Sequence, residues 1–193
     1  RGFKLAILDT GIDFNHLDLK DNIAKANSFV PGENSINDSH GHGTHCSGIA
    51  AGNKNGIGII GTAPDVALYL GKVLNSNGQG SFDWITNAVR WAIKENVDVI
   101  SMSLGTFADL PQDLVNALKD AHNNNIFVIV AAGNEGPYGP NTLSSFARLD
   151  FTISVGAVDQ EKGLAGFSSI GEQLDYVAPG VGVYSCFPNN SYA

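Results

Sequence analysis

Asp9 follows an apolar run in the stretch ILDTGID, residues 7–13, so its carboxylate would stand at the carboxyl edge of a strand, where open α/β sheets place their sites. A buried carboxylate there can orient and charge-stabilise a neighbouring imidazole. The stretch SHGHGTHCSGIAAG, residues 39–52, supplies candidates: His40, His42 and His45, with Cys46 directly after. A histidine beside a carboxylate is the usual general base near neutral pH. In VAAGNEG, residues 130–136, an apolar run ends in small residues and then Asn134, whose amide can donate to a negatively charged oxygen forming on a reacting carbonyl.

Each stretch has another reading. Asp9 could cap a turn, and its DTG triplet resembles half of an aspartic protease; such enzymes are all-β and need a second carboxylate motif, which this chain does not repeat. His40, His42 and His45 follow an HxHxxH pattern that can hold zinc, but the only other histidines are His16 and His122, and His122 lies in a polar HNNN stretch that reads as a surface helix end. GNEG alone could be a turn.

The elements that position these residues are legible as apolar runs. FKLAIL (3–8), VALYLGKVL (66–74), VDVISMSL (97–104), IFVIVAA (126–132) and FTISVGAV (151–158) are rich in Val, Ile and Leu and mostly do not alternate, which suits strands covered on both faces of a parallel sheet. Phe82, Ile85, Val89 and Ile93 recur at helical spacing behind Ser81 as a cap, and Leu114, Leu118 and Ala121 do so behind Pro111 at a first-turn position. Strand, helix, strand in succession predicts an α/β fold with a mostly parallel central sheet and helices on both faces. The stretches NKNGIGIIG, NSNGQGS and GNEGPYGPN read as loops within one domain spanning residues 1–193.

With 193 residues, 43% of them hydrophobic and 16% charged, the chain can bury a sizeable core. Its net charge of -8 and only 11 scattered Lys and Arg argue against nucleic acid or anionic lipid as the main partner. No apolar run has the length to cross a bilayer. Cys46 and Cys186 are expected to be free thiols, too few for a disulfide scaffold.

Taken in order, DTGID, HGTH, SMSLG (101–105) and AAGNEG resemble the subtilase family of serine proteases, and the likeness runs from the first strand through VAPG at 177–180. By that resemblance the chain is a subtilisin-like catalytic domain truncated at both ends. Asp9 would hold the His42 imidazole, His42 would be the general base and Asn134 the oxyanion donor of an endopeptidase. A polypeptide substrate would lie extended between Gly78, Gln79, Gly80 and Ser103, Leu104, Gly105, with Ala131, Ala132 and Gly133 walling the pocket before the scissile bond and Glu135 near its rim. The family holds structural calcium, here implied at Asp18 and Asn55 with the backbone of Asn53, Ile57 and Ile59. Cys46, in HGTHC, would pack as a buried inert thiol beneath the site. An extracellular location and a monomeric state follow from the same resemblance.

The family's nucleophile sits in a GTSMA-type motif after the APG segment, and no such motif occurs in residues 1–193; Ser191 lacks its flanking residues. The serine is therefore expected beyond Ala193. The chain alone is expected to be inactive and, without the helix that follows that motif, poorly stable. A subtilase-like protein that binds peptides without cutting them is the alternative.

Overall fold

A computed structural model describes residues 2–193, which form two compact units: residues up to Ser101 with Tyr184–Ala193, and Met102–Val183. The chain enters the first unit on strand β1 (Lys4–Asp9) and continues through β2 (Ile23–Ser28), helix α1 (His42–Ala51), β3 (Ala67–Lys72), helix α2 (Phe82–Lys94) and β4 (Val99–Met102), whose first three residues belong to this unit. The second unit holds helix α3 (Gln112–Asn123), β5 (Phe127–Ala131), β6 (Ile153–Val158) and β7 (Tyr176–Pro179). A hairpin of β8 (Cys186–Phe187) and β9 (Ser191–Tyr192) returns to the first unit, turning through Asn189 and Asn190 in left-handed conformation, which Asn tolerates best after Gly.

In the first unit the strands run parallel in the order β2-β3-β1-β4, with Asp9 opposite Lys72 and Leu5 opposite Val99. β1 is central, so both its faces are covered, which explains its unbroken apolar sequence. Neighbouring residues of a strand point to opposite faces. Ile7 packs with Ala51 of α1, Leu68 and Cys186, whereas Leu8 lies against Gly71 on the other side, which Ala88 of α2 also approaches. The two helices thus cover opposite faces, as expected. In the second unit β5, β6 and β7 are parallel in that order, and α3 lays Leu114, Ala117, Leu118 and Ala121 inward.

The five expected strands form within two residues of their predicted limits, and the two helical patterns fall inside α2 and α3. Two caps differ. The Ser81 side chain makes no capping bond, its carbonyl instead accepting from Ile85 N–H at 3.2 Å, and Pro111 stands at the N-cap, one residue earlier than expected. β2, β7 and the hairpin were not anticipated; β2 mixes Lys and Asn into an edge strand, where one flank is wet.

Candidate active site

The site grows from two element ends in the first unit. β1 stops at Asp9 and α1 starts at His42, and His42 Nδ1 meets Asp9 Oδ1 at 2.7 Å. The same Oδ1 accepts the Thr10 N–H at 2.7 Å, while Oδ2 is buried without a partner. A carboxylate is acceptor-only, so His42 donates from Nδ1 and a neutral ring keeps its lone pair on Nε2, the nitrogen available as a base. Asp9 is 1% exposed, whereas 43% of the His42 side chain is exposed, so the orienting group is dry and the base is reachable.

The hydrogen bond to Asp9, helped by the Cys46 thiol and opposed by burial, favours the protonated ring and pushes the His42 pKa well above its ordinary value, so the base form with its free Nε2 gains population as pH rises. A folded-state pKa raised above the unfolded one, about 6.5, gives stability that is complete below that pH and declines as pH rises towards the folded value. The melting-temperature difference between the native chain and Asp9→Asn is therefore expected to be largest near pH 5 to 6 and to shrink through the alkaline range, as a scan of thermal unfolding against pH would read. A difference that grew with pH would refute this assignment of the charge.

Cys46 lies one helical turn after His42, with Sγ 3.9 Å from both ring nitrogens. It is half-buried and touches the imidazole, a correction to the fully buried thiol expected; the turn spacing that brings residues four apart together is the reason. Both cysteines are free. Among the described residues, metal-capable atoms converge as Asp9, His42 and Cys46 and as His16, Asp18 and Cys186, not as the three histidines of the HxHxxH pattern.

Gly78, Gln79 and Gly80 form a turn in the same unit, closed by Asn75 N–H to the Gln79 carbonyl at 2.8 Å and by a bridge from Leu74 to Gly80. Gly78 has a φ of 72°, and a Cβ there would stand 3.1 Å from Nε2 of His40, whose ring is 6.3 Å from that of His42. This turn therefore borders the imidazole through His40, which the HxHxxH pattern offers only as a zinc ligand.

In the second unit, Ser103, Leu104 and Gly105 face Ala131, Gly133, Asn134 and Glu135 across an open cavity of about 400 Å³. Thr106, Phe107 and Ser144 also line it, and nothing in their local sequence marked them. Ala132, 1% exposed, is packed beneath rather than on the wall, as strand alternation between Ala131 and Gly133 requires. Glu135 folds back, its Oε2 accepting Asn134 N–H at 2.7 Å and the Ser169 hydroxyl at 3.1 Å. Gly133, at φ 120°, leaves room for this, since a Cβ would stand 2.6 Å from that carboxylate oxygen. Asn134 is exposed at the end of the loop.

A family model described as the subtilase family matches residues 1–192. The chain belongs to the subtilase family. It is 45% identical to subtilisin DY of Bacillus licheniformis over 98% of this chain and 68% of that protein. It is 44% identical to subtilisin NAT of Bacillus subtilis subsp. natto over 98% of this chain and 49% of that protein, and 41% identical to the major intracellular serine protease of Bacillus subtilis (strain 168) over 100% and 62%. This subtilase chain thus spans between about half and about two thirds of the length of these relatives. One of them is intracellular by name, and among the described residues no helix is long and apolar enough to cross a membrane.

The expected calcium residues of this subtilase meet around Asp18, which is fully buried. Its Oδ1 accepts the Asn55 amide at 2.9 Å, its Oδ2 accepts Ile59 N–H at 3.0 Å and the Tyr192 hydroxyl at 2.9 Å, and its carbonyl accepts Asn53 N–H at 2.8 Å. Ile57 N–H donates to Asn55 Oδ1 at 3.1 Å, which folds the loop over the carboxylate. Burial and then the bond to Asp18 push Tyr192 up to about 12, so it remains a donor. A carboxylate and an amide oxygen are donors that suit a hard cation, which would displace the N–H and O–H groups that satisfy Asp18 here. A soft metal fits poorly: burial pushes the Cys186 thiol up to about 12, and His16 is engaged by the Ser191 carbonyl at 2.9 Å and by Asp18 N–H at 3.2 Å.

Proposed function

We propose that this chain is the greater part of the catalytic domain of a serine endopeptidase that hydrolyses polypeptides through an Asp-His-Ser triad, with the nucleophilic serine beyond Ala193. The observation that carries the reading is the 2.7 Å contact between Asp9 and His42 Nδ1, which leaves Nε2 of a partly exposed ring as the base. His42 takes the serine proton as the hydroxyl attacks the scissile carbonyl, then gives it to the leaving amine, while Asp9 fixes the tautomer and stabilises the imidazolium. Asn134 donates to the oxyanion. An extended substrate pairs its backbone with Gly78–Gly80 and Ser103–Gly105, so sequence tolerance is broad, and the cavity bounded by Ala131, Gly133 and Glu135 receives the side chain before the cut. Residues 1–193 alone are expected to turn over no substrate. The extra length of the relatives supports a serine outside them. The complete protein is proposed to act as an extracellular monomer.

The test is the complete gene product treated with a fluorophosphonate probe and a fluorogenic peptide. Labelling of a serine with peptide cleavage, both insensitive to a zinc chelator, is expected. Peptide binding without labelling would instead make this a binding protein, and loss of activity with the chelator would make it a metallohydrolase.

Calcium is proposed as a structural ion held by Asp18, Asn55 and the carbonyls of Asn53, Ile57 and Ile59. Such an ion neutralises a buried carboxylate and ties a loop to the core. Removal with EGTA is expected to lower the melting temperature by several degrees, and Asp18→Asn to abolish the response to calcium. Equal melting curves with and without the chelator would remove calcium from the account.

A further inference from the structure

Asp38 has no part in the chemistry described, yet it sits between the two element ends that carry Asp9 and His42. It is 2% exposed and accepts five hydrogen bonds. Its Oδ1 takes the Thr10 hydroxyl at 2.9 Å, Gly41 N–H at 2.8 Å and His40 N–H at 3.1 Å; its Oδ2 takes Thr44 N–H at 2.9 Å and the Thr44 hydroxyl at 2.7 Å. The Thr10 hydroxyl in turn accepts Gly43 N–H at 2.9 Å. Thr10 is the residue after Asp9, and Gly43 the residue after His42. One carboxylate and one hydroxyl therefore join the peptide carrying the orienting acid to the peptide carrying the base.

The direction of each bond follows from chemistry. Burial pushes the Asp38 carboxyl up, but the bonds from Gly41, Thr44 and Thr10 outweigh it and hold its pKa below the ordinary range, so it is ionised and acceptor-only at neutral pH. The Thr10 hydroxyl must then aim its proton at Asp38, which leaves its lone pairs facing Gly43 N–H. Gly41, at the N-cap with φ 103°, has no side chain to cap the helix, so α1 draws its caps from Thr10 and Asp38. A cap from within the helix's own segment would satisfy the same N–H groups without touching β1. On the β1 side the Thr10 carbonyl is held by Lys72 Nζ at 2.7 Å, a lysine 1% exposed.

We propose that Asp38 and Thr10 are positioning residues which, through the Thr10 hydroxyl, set the hydrogen bond between Asp9 and His42. This rests on the reading of Asp9 and His42 as the proton-handling pair. Besides Asp9, the groups near the His42 ring are Cys46 and His40.

The test needs no turnover and uses the complete gene product labelled with ¹⁵N, because residues 1–193 alone are expected to be poorly stable. It reads the downfield Nδ1 proton of His42, the pH titration of its ring and the thermal melt. Thr10→Val removes the hydroxyl and leaves Asp38 bonded to Gly41 and Thr44. It is expected to stay folded, to lose or shift the downfield proton and to lower the His42 pKa by about one unit; Thr10→Ser is expected to restore both signals. A folded Thr10→Val with native His42 signals would overturn the proposal and leave Asp38 a helix cap only. Should Thr10→Val not fold, Thr10→Ala and Asp38→Asn decide by the same readouts. Asp9→Asn is the control: if it moves the His42 signals and the Thr10 variants do not, only this inference fails; if it moves nothing, the reading of the Asp9–His42 pair fails with it.

Discussion

Replacing His42 by alanine in the complete protein is expected to lower turnover of a peptide substrate about 10⁶-fold, a size taken from the corresponding loss in subtilisin, a relative of this chain, and not inferred from this geometry. The direction does follow from the geometry. Nε2 is the only base the Asp9–His42 pair presents, because Nδ1 is spent on Asp9 at 2.7 Å. Without it the serine hydroxyl keeps its proton through the attack, and the leaving amine has no acid. KM should change little, since the residues lining the cavity between Ser103 and Glu135 do not include His42. Asp9→Asn should cost less, about 10⁴-fold, because its amide offers Nδ1 a donor and turns the ring to the wrong tautomer. Steady-state kinetics on the three proteins decide it. An alanine variant within a hundredfold of the native enzyme would remove His42 from the chemistry.

How much of this was legible in sequence depended on how far apart the partners lie. β1 could be read because a strand covered on both faces needs an unbroken apolar run, and that placed Asp9 at its edge. The start of α1 could be read only through HGTH, since its ten residues are mostly small and carry almost no apolar stripe. Asp38 could not be read, because a polar NDSH stretch looks like any solvated loop until Thr10, 28 residues earlier, is seen to donate to it. The bond from Tyr192 to Asp18 spans 174 positions and left no local trace. The family resemblance implies Glu135 near a pocket rim, but its fold-back onto Ser169 depends on a loop 34 residues away. β7 escaped notice because all four of its residues are exposed, so the burial that made the other strands recognisable is missing.

Gly43→Ala separates these levels, because local propensity and tertiary packing point in opposite directions. Alanine is favoured over glycine in a helix by about 1 kcal/mol, so α1 in isolation would gain. In the folded chain a Cβ at Gly43 would collide with the Gly11 carbonyl oxygen and stand 3.0 Å from Gly11 N and 3.2 Å from Asp9 Cβ. None of these is the end of a flexible side chain, and Gly11, at φ 118°, is fixed in a conformation other residues rarely adopt. The start of α1 must therefore move away from the end of β1, which strains the Gly43 N–H bond to Thr10 and draws His42 from Asp9. Overpacking of this kind costs about 1–3 kcal/mol, enough to cancel the helix gain and leave a net loss. In the complete protein a shift of about 1 Å at the base is also expected to lower turnover on the order of 10²-fold. Gly166→Ala, where a Cβ meets nothing within 4 Å, is the control and should melt like the native chain. If Gly43→Ala melts at or above the native temperature with full activity, helix propensity has won and the close approach of α1 to β1 does not hold the pair in register.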